Sequence, residues 1–328
     1  MIHFIITPGY EYTYAALVSE QLRARALPVR LWNYSGVFAM ERLPPGAWVF
    51  SDLERLAVWE LRLAGEVARL IREAGRSAGF TLYNDPAVAA CRYELLLRLH
   101  QAGLNHFRAW RAEDGVPPAR FPVFMRLESN HRWPLTDLIH TPAALEKELD
   151  DLARQGISRR GVLIIEYQAE PFAPNIWRKY AVYRVGDRII ADHIVHDVSW
   201  LAKFGHEDAW SDAVMAEEAD WVRDNPHADA IMKAFQVAGI DYGRADYGLV
   251  GGVPQIWEIN TNPQLPVPRL DKMAPGRHAA ALLSRDRRLD AIEALDIPRG
   301  GSAIALDSEP LTRHRKRQNP NRRDVIRD

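Results

Sequence analysis

The chain has 328 residues, of which 47% are apolar and 26% charged, and its formal net charge is −1. This length allows two or three packed lobes, and the balanced charge excludes a whole-molecule field that would attract nucleic acid or an anionic membrane. No run approaches the roughly 20 apolar residues of a bilayer-spanning helix. The N-terminus has no basic leader, and the single cysteine, Cys91, suits a reducing compartment. We therefore expect a cytoplasmic protein with no membrane partner.

The first part of the chain alternates predicted strands with predicted helices. Short β-branched runs indicate strands, and amphipathic stretches between them indicate helices. The predicted elements are a strand over 2–7, a helix over 12–25, strands over 29–32 and 47–50, and a helix over 53–74. This order predicts a small α/β lobe with a mostly parallel sheet over residues 1–84.

Two further segments are predicted within residues 85–298, namely 85–158 and 159–298. The first contains a strand at 121–125 and a helix that Thr141-Pro142 begins. The second contains two β-hairpins, which turn at Gly186-Asp187 and Gly251-Gly252. These patterns predict mixed α+β structure after the N-terminal lobe.

Residues 299–328 change in character, because basic residues cluster at 313–317 and at 322–323 in polar surroundings. We predict a disordered, solvated tail. A tail of this kind could instead bind nucleic acid or an acidic partner, but the composition favours solvation, so we expect no nucleic-acid partner.

The chemically informative residues lie in the second hairpin. Arg244 and Asp246 are two apart on one strand, and Glu258 and Asn260 are two apart on the other, so each pair shares a face. A three-residue loop or one bulge would place Asp246 opposite Glu258 and Arg244 opposite Asn260. An even loop would put the two pairs on opposite faces.

If the four side chains share a face, two carboxylates and an amide oxygen converge beside a guanidinium. Ligands that are all oxygen select a hard cation such as Mg²⁺, and Arg244 would remain to stabilise developing negative charge. The alternative is a solvated hairpin face with ordinary arginine–carboxylate pairs. Spacing alone does not distinguish these interpretations.

The run Arg244-x-Asp246, followed by Glu258-Ile-Asn260-Thr-Asn-Pro263, resembles the metal-binding end of the ATP-grasp superfamily. The resemblance covers roughly residues 84–298 and, at 177–188, is similar to uncharacterised relatives of amino-acid and peptide ligases. It implies an ATP-grasp fold of two α+β subdomains, with Asp246, Glu258 and Asn260 holding Mg²⁺ (or Mn²⁺) against ATP and Arg244 as a catalytic residue.

The resemblance also implies an ATP site made from strands upstream of the hairpin. Arg126 corresponds to the basic residue that contacts the ATP phosphates. The run Glu166-Tyr167-Gln168-Ala169 resembles the hinge that holds adenine, with Glu166 accepting from the adenine amino group or bonding the ribose. Lys179, on the strand after the hinge, is expected to face phosphate or an acidic substrate.

The implied activity is that of a carboxylate–amine ligase, or a carboxylate–thiol ligase, which forms an acyl phosphate and releases ADP and phosphate. Its partners would be a small-molecule or peptide carboxylate and an amine nucleophile, and a homodimer is the commonest assembly. The same fold could transfer phosphate to another acceptor. It could also bind nucleotide without turnover, which Arg126 and the glycine-free segment 127–134 would favour.

Other candidates carry less information. His193 and His196 are three apart on a predicted strand and therefore lie on opposite faces, which argues against a shared metal. Arg92 could face nucleotide or water. The group formed by Trp200, Lys203 and Trp210 could wall a pocket or simply pack, and the sequence does not decide between these alternatives.

Overall fold

The structure, a computed structural model, describes residues 1–16, 28–129, 133–296 and 300–318. These residues divide into two compact units. The first comprises Met1–Ala87, Gln264–Pro266 and the described residues from Ile292 onward, and the second comprises Val88–Pro263 and Val267–Ala291. No helix in these ranges is both long and apolar enough to cross a bilayer.

The secondary structure mixes strands and helices along the whole described chain. The strands are β1 (Ile2–Ile6), β2 (Val29–Asn33), β3 (Arg42–Leu43), β4 (Gly46–Phe50), β5 (Phe80–Tyr83), β6 (Ala109–Arg111), β7 (Val123–Leu127), β8 (Val162–Glu166), β9 (Trp177–Val185), β10 (Arg188–Asp197), β11 (Tyr242–Val250), β12 (Val253–Asn260) and β13 (Ile304–Ala305). The helices are α1 (Tyr12–Ala16), α2 (Tyr34–Ala39), α3 (Val58–Ala74), α4 (Arg92–Gln101), α5 (Pro142–Arg154), α6 (Asp212–Asp224), α7 (Ala228–Ala238), α8 (His278–Glu293) and α9 (Glu309–Gln318).

The first unit contains a four-stranded parallel sheet in the order β2-β1-β4-β5. Every residue of β1 and β4 is buried, as expected for central strands of a parallel sheet that is covered on both faces. Helix α3 buries a stripe that includes Leu63, Val67 and Ile71. The predicted α/β lobe is therefore confirmed, although residues 17–25 of the predicted first helix lie outside the described residues.

The prediction of a disordered tail is wrong for residues 304–318. Strand β13 pairs with β3, and α9 follows it. Leu306 and Leu311 are fully buried, and Arg315 donates hydrogen bonds to the carbonyls of Met40 and Leu306. The burial of two leucines and the hydrogen bonds of Arg315 thus keep the segment folded despite its positive charge. The remaining basic residues, at 322–323, lie outside the described residues.

The second unit contains two antiparallel sheets. The smaller one has the order β6-β8-β7 and packs against α5, whose Leu145, Leu149 and Leu152 join its core. Thr141 caps α5 by accepting from the Ala144 N–H, and Pro142 occupies the first turn, as predicted.

The larger sheet has the order β10-β9-β11-β12. Helices α4, α6 and α7 bury one face of it in a core that includes Val182, Ala245 and Phe235. The edge of β10 is covered, because the Ile194 N–H donates to Glu218 on α6. The other face carries the polar side chains of the candidate site.

Candidate functional site

The β11–β12 hairpin places the predicted metal ligands opposite each other. Its turn, Gly251-Gly252, has φ of 57° and 79°, which glycine adopts readily. This two-residue loop alone would oppose Asp246 to Trp257, but a bulge after Asp246 shifts the register. Asp246 therefore pairs with Glu258, and Arg244 pairs with Asn260, which confirms the register that one bulge predicts.

Asp246 is buried between two cations. The Arg244 guanidinium donates from Nε to Oδ1 at 2.9 Å and from Nη2 to Oδ2 at 3.2 Å, and Lys179 Nζ lies 3.2 Å from Oδ2. Burial raises the pKa of Asp246, but the charges of Arg244 and Lys179 outweigh burial and hold the pKa below its ordinary value. Burial by itself lowers the pKa of Arg244, yet the Asp246 carboxylate raises it overall. The pair is therefore ionised at neutral pH.

Glu258 faces two arginines from other elements. Arg92 Nη2, from the first turn of α4, lies 2.7 Å from Glu258 Oε2, and Arg126 Nη2, from β7, lies 3.5 Å from the same oxygen. Arg92 also donates to the carbonyls of Leu127 and Glu128 at 3.0 and 3.2 Å. Burial lowers the pKa of Arg126 to about 10, so that side chain stays protonated at neutral pH.

Cations outnumber carboxylates around this hairpin face, where Asp246 and Glu258 stand among Arg92, Arg126, Lys179, Lys203 and Arg244. Burial lowers the pKa of Lys203, whose Nζ lies 4.0 Å from the ring centre of Trp133. Excess positive charge in a confined space is stabilised by an anion with several charges, such as a polyphosphate. Asp246 is only 3% exposed, so its part of the hairpin face is not solvated, although the arginine–carboxylate pairs of that alternative are present.

A cavity of about 120 Å³ adjoins these charges. Its apolar walls come from both sheets and from the loops before β6 and after β10. They are Phe107, Phe124, Ile165, Trp200, Leu201 and Trp257. The rings of Phe124 and Trp200 are 5.2 Å apart between centroids. Aromatic walls beside cations suit a ligand with a flat apolar part and an anionic part. Trp200 and Lys203, whose role the sequence left open, both line the cavity.

The predicted hinge reaches the cavity in part. Glu166, Tyr167 and Gln168 line it, whereas Ala169 does not. The Glu166 carboxylate is already bonded to protein groups, because its Oε2 accepts from the Arg108 backbone N–H at 2.8 Å and from Arg120 Nη2 at 3.0 Å. The geometry therefore favours a structural role for the Glu166 side chain over the predicted contact with adenine or ribose.

The oxygen donors fit the predicted cation. Asp246 and Glu258 both line the cavity, and the amide oxygen of Asn260 accepts from the Asn262 N–H at 2.9 Å, which fixes the orientation of that side chain. Within the described ranges, no three or more His, Cys, Asp or Glu side chains cluster as a metal site. Two carboxylates are the protein share that Mg²⁺ commonly takes, with phosphate and water oxygens completing its shell.

Trp257 is the extra residue of the bulge in β12, and its indole ring packs against Gly248. A methyl group at Gly248 would collide with the indole ring. We expect Gly248→Ala to lower the free energy of unfolding by about 1–3 kcal/mol, as overpacking does, and to change the tryptophan fluorescence. Urea denaturation measures the loss. In a Trp257→Leu background the same change should cost little, and an equal cost in both backgrounds would contradict the contact.

Sequence patterns missed some residues of the site. Arg92 turns inward to Glu258, where the sequence allowed either nucleotide or water. No pattern singled out Trp257 or Arg120. His193 and His196 do lie on opposite faces of β10, because the pairing with β9 is regular between them.

No protein-family model matches the chain, and no curated protein matches it by sequence. The solved structures that it resembles include a D-alanine–D-alanine ligase and two proteins described as ATP-grasp. D-alanine–D-alanine ligase from Bacillus anthracis, complexed with ATP, is 12% identical, with 96% of this chain and 98% of that chain covered and a TM-score of 0.46.

Two other similar structures have comparable values. The RimK domain ATP-grasp protein from Sphaerobacter thermophilus is 13% identical over 90% of this chain and 99% of that chain, with a TM-score of 0.47. The ATP-grasp ligase PsnB, complexed with a minimal precursor, is 14% identical over 90% and 98%, with a TM-score of 0.49. At these identities, chemistry has to be argued from the side chains of the site.

Proposed function

We propose that this chain is an ATP- and Mg²⁺-dependent ligase that joins a carboxylate to an amine through an acyl phosphate. The observation that carries the proposal is the pairing of buried Asp246 with half-buried Glu258, which face each other beside a cationic, aromatic-walled cavity. Such a constellation serves phosphoryl transfer, which depends on positioning and on charge neutralisation.

The cations of the site bind the phosphates of ATP in this proposal. Arg126, Lys179 and Lys203 line the cavity and supply the charge, while the aromatic walls and Tyr167-Gln168 receive the base. Asp246, Glu258 and Asn260 would hold Mg²⁺ (or Mn²⁺), which neutralises phosphate charge when bound. The ion pairs of Asp246 with Lys179 and of Glu258 with Arg92 and Arg126 must loosen when nucleotide enters.

Arg244 is the proposed catalytic residue. Its guanidinium is locked by two bonds to Asp246, so it keeps one orientation on the hairpin face. A fixed cation here would stabilise the negative charge that develops on the carbonyl oxygen when the amine attacks. The carboxylate partner would be a small molecule or a peptide, and the cytoplasmic location and the homodimer stay predictions.

The products test this function. The twenty protein L-amino acids are supplied together and serve both as carboxylates and as amines. With this mixture we expect ADP and phosphate in equal amounts. When hydroxylamine is added as the competing nucleophile, we expect a hydroxamate. Nucleotide products are separated by chromatography. Release of AMP and pyrophosphate would contradict an acyl phosphate.

A second candidate is transfer of phosphate to a hydroxyl or phosphorylated acceptor, since the same cations and metal ligands would serve it. ADP release without any hydroxamate would favour this alternative. A protein that binds nucleotide without turnover would release no ADP with any of these probes.

A further inference from the structure

A second bulge brings an acid and a histidine together on the face that carries the site. In the pairing of β10 with β9, Ala191 opposes Val182 and His193 opposes Ala181, which leaves Asp192 as the extra residue. Neighbouring residues of a regular strand point to opposite faces, but a bulge re-aims one of them. As a result, His193 Nδ1 lies 2.7 Å from Asp192 Oδ2.

Asp192 is held rigidly in this position. Its carboxylate is buried, its Oδ1 accepts from the Ser284 hydroxyl at 2.7 Å, and it forms an ion pair with Arg288 of α8. A carboxylate beside a guanidinium is ionised and only accepts hydrogen bonds. The Nδ1 atom of His193 therefore carries the proton, and Nε2 presents a lone pair. Nε2 makes no hydrogen bond to any described residue, and the side chain is 34% exposed.

The histidine lies in the same cross-strand row as the proposed metal ligands. His193 opposes Ala181, Ala181 opposes Asp246, and Asp246 opposes Glu258, so all four side chains share one face. Two strand spacings, about 10 Å, separate His193 from Asp246. Ala181, which lies between them in the row, carries only a methyl group, so no longer side chain of this row separates the imidazole from Asp246.

We infer that His193 is the general base of the ligation and that Asp192 is its positioning residue. This inference rests on the proposed function. Nε2 accepts a proton from the substrate ammonium, and the amine nitrogen then forms a bond to the acyl-phosphate carbon. The bond from that carbon to the phosphate oxygen breaks, and phosphate leaves with its electron pair and takes the second proton of the amine nitrogen. The imidazolium then returns the first proton to water.

The surroundings keep the base neutral until nucleotide arrives. Burial lowers the pKa of His193 to about 4, with Arg244 lowering it further, Asp246 and Glu218 opposing, and Lys179 contributing a smaller decrease. The other charged groups here are Asp192 and Arg288. Phosphates bound beside Arg244 and Lys179 would offset these cations and raise the pKa of His193 toward neutrality. Its capacity to accept a proton would thereby be coupled to nucleotide binding.

Comparing the rates with two nucleophiles distinguishes a general base from a residue with a purely structural role. Hydroxylamine is uncharged at neutral pH and needs no base, whereas an amino acid presents an ammonium group. With ATP, Mg²⁺ and the twenty protein L-amino acids, we expect His193→Gln to form hydroxamate at the wild-type rate. The same variant should join amino acids about 10²-fold or more slowly, and Asp192→Asn should lose ligation in the same selective way.

The pH profile gives a second readout. Wild-type kcat for ligation should level off above the raised pKa of His193 and stay nearly flat up to about pH 8, near the pKa of an α-amino group. In His193→Gln it should rise about tenfold per pH unit, because only amine that is already neutral can react. His196→Gln, on the opposite face of β10, is the matched control and should keep the wild-type profile.

A measurement without substrate covers the case of a variant that unfolds. In the ¹⁵N-histidine NMR spectrum of the whole wild-type chain, we expect His193 to carry its proton on Nδ1 and its pKa to rise when a non-hydrolysable ATP analogue binds. A proton on Nε2, or equal losses of hydroxamate and ligation in folded His193→Gln, would overturn the inference. Absence of ADP and hydroxamate in the wild type would overturn the proposed function itself.

Discussion

Replacing Asp246 by Asn should lower ADP release by at least about 10²–10³-fold, the scale of losing a key electrostatic group at a reaction centre. Asn keeps the shape of the side chain but removes the charge that both Arg244 and Lys179 contact. A metal ligand is lost, and two half-buried cations then face each other without their carboxylate. Initial rates of ADP release with the amino-acid mixture measure the effect.

The stability of this variant has to be measured beside its activity. Removing one member of a buried ion pair costs about 3–5 kcal/mol, so thermal unfolding should show a lower midpoint while the chain stays folded at assay temperature. Asp187→Asn, at the exposed turn between β9 and β10, is the matched control and should behave as wild type. Wild-type turnover in a folded Asp246→Asn protein would exclude this residue from the reaction.

Glu258→Gln should change nucleotide binding in opposite directions with and without metal. Without Mg²⁺, ATP should bind about tenfold more tightly, because a negative charge disappears while Arg92 and Arg126 remain in place. That factor corresponds to about 1.4 kcal/mol, well within the interaction of charges about 4 Å apart near a protein surface. With Mg²⁺ the gain should vanish, because a metal ligand is missing. Fluorescence titration of the cavity tryptophans measures both affinities.

The control for this prediction lies on the same unit but away from the cavity. Glu146 is exposed on α5, and Glu146→Gln removes the same charge there. Its effect on metal-free ATP affinity should be small at physiological salt, where the Debye length is about 8 Å. If both variants increase the metal-free affinity for ATP equally, net charge alone explains the change. Glu258 would then not lie next to the bound nucleotide.

The hairpin with the metal ligands could be predicted because its chemistry is local. Residues two apart on a strand share a face. The arrangement of Arg244, Asp246 and their partners on β12 therefore depended only on the pairing register of the two strands. The position of the bulge after Asp246 did not follow from the sequence. It depends on how Trp257 packs over Gly248, and that contact belongs to tertiary structure.

The cations around the hairpin could be predicted only in part. Arg126 and Lys179 lie on strands whose order along the chain supports the resemblance, whereas Arg92 comes from a helix and Lys203 from a loop. Nothing in the local pattern of a helix shows that its first arginine turns inward to Glu258. The dyad of Asp192 and His193 was missed for a similar reason, because two adjacent strand residues share a face only at a bulge.

The C-terminal segment was predicted wrongly because its charge dominates the composition. Two buried leucines, Leu306 and Leu311, are enough to hold it on the first unit, and Arg315 bonds backbone carbonyls there. The ligand contact predicted for the Glu166 side chain stays a prediction, although Arg120 and the Arg108 N–H already donate to its carboxylate.

The central claim is that Asp246 and Glu258 hold a divalent cation against ATP in the cationic cavity. Calorimetric titration of the wild-type chain with ATP, in the presence and absence of Mg²⁺, tests it most directly. The proposed site predicts binding that Mg²⁺ tightens, with this metal-dependent gain lost in Asp246→Asn and retained in Asp187→Asn. No binding of ATP, or equal affinity with and without Mg²⁺, would contradict the site and the ligase proposed from it.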